Sequence, residues 1–295
     1  MKYRIEKDSL GEVKVPSTAL WGAQTQRALD NFQISGIKFA FPFGRSFIEA
    51  LGIIKHAAAS SNATLNLLPS SKAKHIKFAA KEIIDGKHDD QFPLDIFQTG
   101  SGTSTNMNAN EVMATIASKK GKSSIHPNDD VNMSQSSNDV IPTAIHISAL
   151  LDVEKLLLPS LQSLIKQIKS KESKVKDIVK TGRTHLMDAM PIDMAQELSG
   201  WATQLDDQHN QIKLAVEGLK SLPQGGTAIG TGINAPKNFG NIFANEVSKL
   251  TKIKFKPSRN YFKSLSSQDA ATNMSSAVKN LALVLLKISN DLRWM

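Results

Sequence analysis

Apolar residues recur at helical spacing along three stretches of the chain, and polar clusters separate them. In the first stretch Ile141, Ile145, Leu151, Leu158, Leu161, Ile165 and Ile168 mark one face. Asn138 and Asp139 offer capping side chains at its start, and Pro142 suits a first turn. Pro159 predicts a kink, not an end, because the stripe continues beyond it. The second stretch starts near Pro191 and runs through Ile192, Ala195, Leu198, Trp201, Leu205, Ile212, Val216 and Leu219, with Pro223 after its end. The third extends from about Ser267 to the C-terminus, with Met274, Ala277, Leu281, Val284, Ile288 and Leu292 on one face. Three long amphipathic helices in one region predict a bundle. Residues 1–137 are expected to mix shorter helices and loops as an N-terminal domain, with the bundle over 138–295. Short strands are expected near residues 34–38 and 252–255, and the fold class is mainly α.

Five polar segments break the helical texture: TGSGTSTNMN at 99–108, HPNDDVN at 126–132, SQSSND at 134–139, GRTHLMDAMP at 182–191 and GGTAIGTGIN at 225–234. Each alone has the composition of an ordinary turn or cap. Together they place hydroxyls and amides ahead of long helices, where backbone N–H groups and the positive dipole end add to them. Such neutral donors suit carboxylates. The first segment lacks the Gly-Lys-Ser/Thr ending of a phosphate loop, and Gly100-Ser101-Gly102 is not a nucleophile elbow. The fifth lacks the strand-to-helix unit of a dinucleotide fingerprint. His185, flanked by Thr184 and Leu186 and expected at a loop-to-helix junction, is the candidate for proton transfer. His126 precedes Asp129 and Asp130, but HPNDD has no familiar metal-ligand spacing. The histidines at 56, 75, 88, 146 and 209 sit in helical or surface contexts and suggest no role.

Composition narrows the classes. The 295 residues are 40% hydrophobic and 21% charged, enough for a sizeable core. There is no cysteine, which excludes disulfides and thiolate metal sites and suits a reducing cytosol. No apolar run reaches the ~18 residues of a membrane span. The start, MKYRIEKDSLGEV, lacks the apolar region of a signal peptide, so a cytoplasmic location is expected. The net charge of +9 is spread over a lysine-rich surface. The densest basic run, Lys166 to Lys180, contains no aromatic and predicts a solvated helix end, not a nucleic-acid surface.

The chain resembles the class II fumarate hydratases of the fumarase/aspartase superfamily along its whole length. The strings that carry the resemblance are RIEKDSLGEVKVPSTALWGAQTQRAL, FPLDIFQTGSGTSTNMNANEV, HPNDDVNMSQSSND, DIVKTGRTHLMDAMP, GGTAIGTGIN and KISNDLRWM. Aspartases look similar but tend to carry STND where this chain has Ser136 to Asp139, and a glutamine at the place of His185. The resemblance implies reversible hydration of fumarate to L-malate, with no organic cofactor and no metal. It implies a homotetramer built on a helical core, each active site drawing on three subunits. It implies substrate contacts at Ser101, Thr103, Ser136, Ser137, Asn138 and Thr184, and proton transfer at His185. His126, Asn128 and Asp129 match a second, non-catalytic dicarboxylate site that some members show. The family's mobile loop, roughly GSSxMPxKxNP, which supplies a serine base, a lysine and an asparagine, is not found in the sequence. The last helix runs into NDLRWM without a glycine cap, so the sequence is expected to be a truncated form, weakly active or inactive, lacking the C-terminal domain. The rival expectations are an aspartate ammonia-lyase sibling and a non-catalytic dicarboxylate-binding or assembly fragment.

Overall fold

Residues 3–16 alternate exposed and half-buried side chains, the period of a strand with one covered face. In the computed structural model, which describes residues 2–38 and 45–295, they form an antiparallel hairpin. Its strands are β1 (Tyr3–Asp8) and β2 (Gly11–Pro16). Helices α1 (Ala23–Asn31), α2 (Arg45–Thr64) and α3 (Ser70–Ile84) follow, then α4 (Thr103–Gly121) and α5 (Ser137–Asp152). The chain continues as α6 (Leu158–Lys174), β3 (Val179–Thr184), β4 (Met187–Asp193) and α7 (Met194–Leu219). It ends with β5 (Ser221–Leu222), α8 (Phe239–Thr251), β6 (Lys256–Pro257), α9 (Tyr261–Ser266) and α10 (Asp269–Trp294). The mainly helical class expected from periodicity is the observed one.

The chain divides into two units. One contains residues 1–149 and 220–268, the other 150–219 and 269–295. The division falls within α5, whereas the break read from the sequence, 137/138, lies at the start of that helix. In the first unit α2 is buried on most sides through Ile48, Leu51, Ile53, Ile54, Ala57 and Ala58, because α3 and α8 pack on it. A helix apolar all round belongs in a core. In the second unit α7 packs against both α6 and α10. Leu198, Trp201, Leu205, Ile212 and Val216 of α7 are buried there with Leu161 and Ile165 of α6 and Met274, Leu281 and Ile288 of α10. The Trp201 indole N–H donates to Asp291 Oδ2 at 3.1 Å.

Several expectations are corrected. The second long helix begins at Met194, not near Pro191, because Met187–Asp193 pairs with Val179–Thr184. Pro191 lies opposite Thr181 in that ladder. Gly182 sits at its irregularity, where a Cβ would meet the Met190 carbonyl oxygen at 2.6 Å. Pro142 lies inside α5, beyond its first turn. At Pro159 the helical path switches to a five-residue π segment, Val153–Leu157, before α6 resumes. Proline offers no N–H and crowds the carbonyl four residues back, and a π turn relieves both. The buried aliphatic positions of α5 are Val140, Ala144, Ile147, Leu150 and Leu151, beside buried Asp139, Pro142, Thr143, His146 and Ser148, while Ile141 and Ile145 are only half-buried. The strand expected near 34–38 is a single bridge, Lys38 to Asp95, and that near 252–255 is displaced to Lys256–Pro257. The first 137 residues also hold long helices, α2 of 20 residues and α4 of 19. Among the described residues no helix is long and apolar enough to cross a membrane.

One carboxylate fixes α1. Glu111 on α4 accepts from the backbone N–H groups of Gly22, Gln24 and Thr25 at 2.9–3.1 Å and from Thr25 Oγ1 at 2.6 Å. An anion thus satisfies the orphan donors of a helix N-terminus. Glu111→Ala is expected to lower stability by about 2–4 kcal/mol, checked by denaturant unfolding; a change under about 0.5 kcal/mol would contradict this role.

Candidate active site

Two helices of the first unit begin in hydroxyl-rich loops. Before α4, Gln98 holds Thr105 at both ends: its Nε2 donates to Thr105 Oγ1 at 2.7 Å, and Thr105 N–H donates to its Oε1 at 2.9 Å. Gly102 takes φ +69° as the residue before the helix. A Cβ there would lie 2.9–3.1 Å from the side-chain carbons of Ile141, so only glycine lets this loop lie on α5. Ser101 Oγ and Thr103 Oγ1 are 2.8 Å apart, and both residues are exposed.

Of the expected Asn138–Asp139 pair, Asp139 does cap α5, but its partner is Ser136 and not Asn138. Ser136 N–H donates to Asp139 Oδ1 at 2.9 Å and Asn138 N–H donates to Ser136 Oγ at 3.3 Å, a reciprocal cap. Asp139 Oδ2 accepts from the N–H groups of Gly225 and Thr227 at 3.0 and 2.9 Å. Asn138 Nδ2 donates to the Ala228 carbonyl at 2.8 Å. The glycine-rich fifth segment is therefore fastened to the N-terminus of α5. Burial pushes the Asp139 carboxyl up to about 6, against its three N–H donors and the charge of Lys55.

Behind the two loops lies a fully buried lysine. Lys55 Nζ of α2 donates to Asn106 Oδ1, Asn132 Oδ1 and Gln135 Oε1 at 2.8, 2.9 and 3.0 Å. Asn106 Nδ2 in turn donates to Ser137 Oγ at 3.0 Å, which ties α4 to α5. Burial pulls the Lys55 ammonium down to about 7, opposed by the charge of Asp139.

The structure thus gathers Ser101, Thr103, Ser136, Ser137 and Asn138 around two helix N-termini that share side-chain contacts. Thr184 and His185 belong to the other unit. His185 stands not at a loop-to-helix junction but in the two-residue turn of the β3–β4 hairpin, with Leu186, at φ +50° and +60°. Both φ values are positive, as a tight hairpin turn requires. Thr184 and His185 are exposed. His126, Asn128 and Asp129 lie together on a five-residue π turn, Pro127–Val131, with His126 as its cap. His126 Nδ1 accepts from the Asp129 backbone N–H at 3.1 Å, and the His126 backbone N–H donates to Asp130 Oδ2 at 2.8 Å. His126 and Asn128 border a cavity of about 610 Å³ that Lys7, Lys119, Glu6 and Asp8 also line, whereas Asp129 does not reach it.

Lys55, Asn106 and Asp139 did not stand out in the sequence as site residues. The signal for Lys55 is a cation inside the apolar run LGIIKHAAA, and that for Asn106 is asparagine at alternate positions of the helical TNMNAN. A buried charge or amide needs partners.

A lyase family model matches residues 11–295. The chain is 53% identical over 294 residues to a class II fumarate hydratase of Xylella fastidiosa, covering 100% of this chain and 61% of that protein. It is 49% identical to the class II fumarate hydratase of Mycobacterium tuberculosis H37Rv, with 99% and 61% covered. The structure of a class II fumarase from Schistosoma mansoni superposes with TM-score 0.95 at 37% identity, covering 98% of this chain and 64% of that one. The chain therefore spans a little over three fifths of the length of these relatives.

Asp139→Asn is expected to cost about 1–3 kcal/mol, because the amide must turn its NH₂ toward at least one N–H donor. A melting temperature lower by several degrees checks this, and an unchanged one would contradict the tether.

Proposed function

The chain belongs to this lyase family, and from that premise we propose that it forms part of a fumarate hydratase, which adds water reversibly to fumarate to give L-malate. The observation that carries the reading is the pair of helix N-termini that begin in hydroxyl-rich loops and are locked together through Gly102 on Ile141 and Asn106 on Ser137. In the dehydration direction a base takes the C3 proton of malate. The electron pair moves into the neighbouring carboxylate as a dianionic aci-carboxylate. The C2 hydroxyl then takes up a proton and leaves as water, anti to the first proton. Charge builds on carboxylate oxygens, and preorganised neutral donors stabilise it without gripping the ground state as an ion pair would. Ser101, Thr103, Ser136, Ser137 and Asn138 take the substrate carboxylates, helped by two helix dipoles. Thr184 adds a contact, and His185 moves a proton through a bound water.

His126, Asn128 and Asp129 form a second, non-catalytic dicarboxylate site. Copies associate as a homotetramer whose sites combine segments of different subunits. Two observations support this: Thr184 and His185 ride on an exposed hairpin tip, and the second unit exposes Leu164, Leu214, Leu283 and Leu286. The cysteine-free composition fits a cytoplasmic location. An aspartate ammonia-lyase is the second reading, which the relatives' names and His185 disfavour.

Ultraviolet absorbance separates the readings. In a form extended to the length of the relatives, fumarate is expected to appear from L-malate and not from L-aspartate, and His185→Asn is expected to slow it by about 10²–10⁴-fold with an unchanged melting temperature. Fumarate from L-aspartate would assign the sibling chemistry, and fumarate from neither would leave a dicarboxylate-binding module.

A further inference from the structure

We propose that Lys55 is a positioning residue that sets the hydrogen-bond polarity of the cradle, forcing Ser137 to present its hydroxyl proton outward as a donor to an anion. The inference rests on the reading of Ser137 as a dicarboxylate contact.

An ammonium has three donors and no acceptor. Lys55 Nζ is fully buried and spends all three on side-chain oxygens of Asn106, Asn132 and Gln135 at 2.8–3.0 Å. Side-chain amides otherwise choose between two orientations of nearly equal shape. Against a donor-only neighbour the choice disappears, and each amide must turn oxygen toward Lys55. The NH₂ groups then point away from the lysine. Gln135 Nε2 donates to the carbonyls of Val131 and Met133 at 3.0 and 3.1 Å. Asn132 Nδ2 donates to the Gln135 carbonyl at 3.3 Å. Asn106 Nδ2 donates to Asn132 Oδ1 at 3.2 Å and to Ser137 Oγ at 3.0 Å.

That last bond decides what Ser137 does. Its oxygen is already an acceptor, so its O–H must find an acceptor elsewhere, and among the described residues it has none. Ser137 is the first residue of α5, half-buried, and beside the exposed Asn138. A carboxylate oxygen, which only accepts, supplies what is missing. Were Asn106 reversed, its oxygen would draw the Ser137 proton inward and leave a lone pair facing an anion. Lys55 therefore acts at one remove, through Asn106, and does not touch the substrate.

A double-mutant cycle on the affinity for succinate, a dicarboxylate that cannot react, tests the route. Lys55→Gln removes the donor-only constraint, and it is expected to weaken succinate about tenfold, the scale of one charge-assisted hydrogen bond. In a Ser137→Ala background the same change is expected to cost less than about twofold. Equal losses in both backgrounds would overturn the proposal. A wild-type measurement covers failure of the variant to fold. Nuclear Overhauser contacts from the Asn106 side-chain NH₂ are expected to reach the Ser137 β protons and not the Lys55 ε protons; the reverse pattern would also overturn it. If wild type binds no succinate, or Ser137→Ala leaves its affinity unchanged, the dicarboxylate reading of Ser137 fails, and the Overhauser pattern alone decides whether Lys55 orders Asn106.

Discussion

The Asp139 carboxylate joins two segments that lie almost ninety positions apart in sequence, and the geometry of the cradle depends on it. One oxygen closes the cap of α5 on Ser136, and the other holds the backbone of Gly225 and Thr227. A buried carboxylate with three N–H partners has few alternative arrangements that leave no donor stranded. The loop after residue 224 is thus placed where Asn138 reaches the Ala228 carbonyl. Lys55 does the corresponding work on the far side, with three oxygens around one ammonium. Both charges lie in the protein interior, and burial drives each toward its neutral form: the Asp139 carboxyl up and the Lys55 ammonium down. The site is polar at depth and neutral at its surface.

That division bears on the proposed elimination through a dianionic intermediate. A lysine or arginine placed directly on a substrate carboxylate would stabilise malate and fumarate as much as the intermediate. Hydroxyls, amides and the ends of two helices respond instead to charge that accumulates on fixed oxygens. Here the cation is set back by one amide, where its effect is to orient donors. The close approach of Gly102 to Ile141 sets the N-terminus of α4 against α5. Substituting any larger residue at 102 would force both a strained φ and a separation of those helices.

Much of this was legible in the chain. The stripes Leu198–Leu219 and Met274–Ile288 became buried faces because α7 and α10 pack on one side each. The hydroxyl clusters at 101–103 and 136–138 do open helices. What was not legible depended on tertiary partners. The α5 stripe was offset because that helix is buried nearly all round, so periodicity carries little information. The β3–β4 hairpin is hidden in the sequence because its turn is His185–Leu186, without the Asn-Gly pair that usually marks one. The roles of Lys55 and Asn106 depend on their contact with each other, which sequence alone does not give.

The central claim is that the two helix ends and the glycine-rich loop form one anion site. Amide chemical-shift mapping during a titration with fumarate tests it most directly. The account predicts that the N–H resonances of Ser101–Thr103, Ser136–Asn138 and Ala228 move together, with a single dissociation constant. Shifts confined to His126–Asp129, or separate dissociation constants for the 101–103 and 136–138 segments, would contradict it.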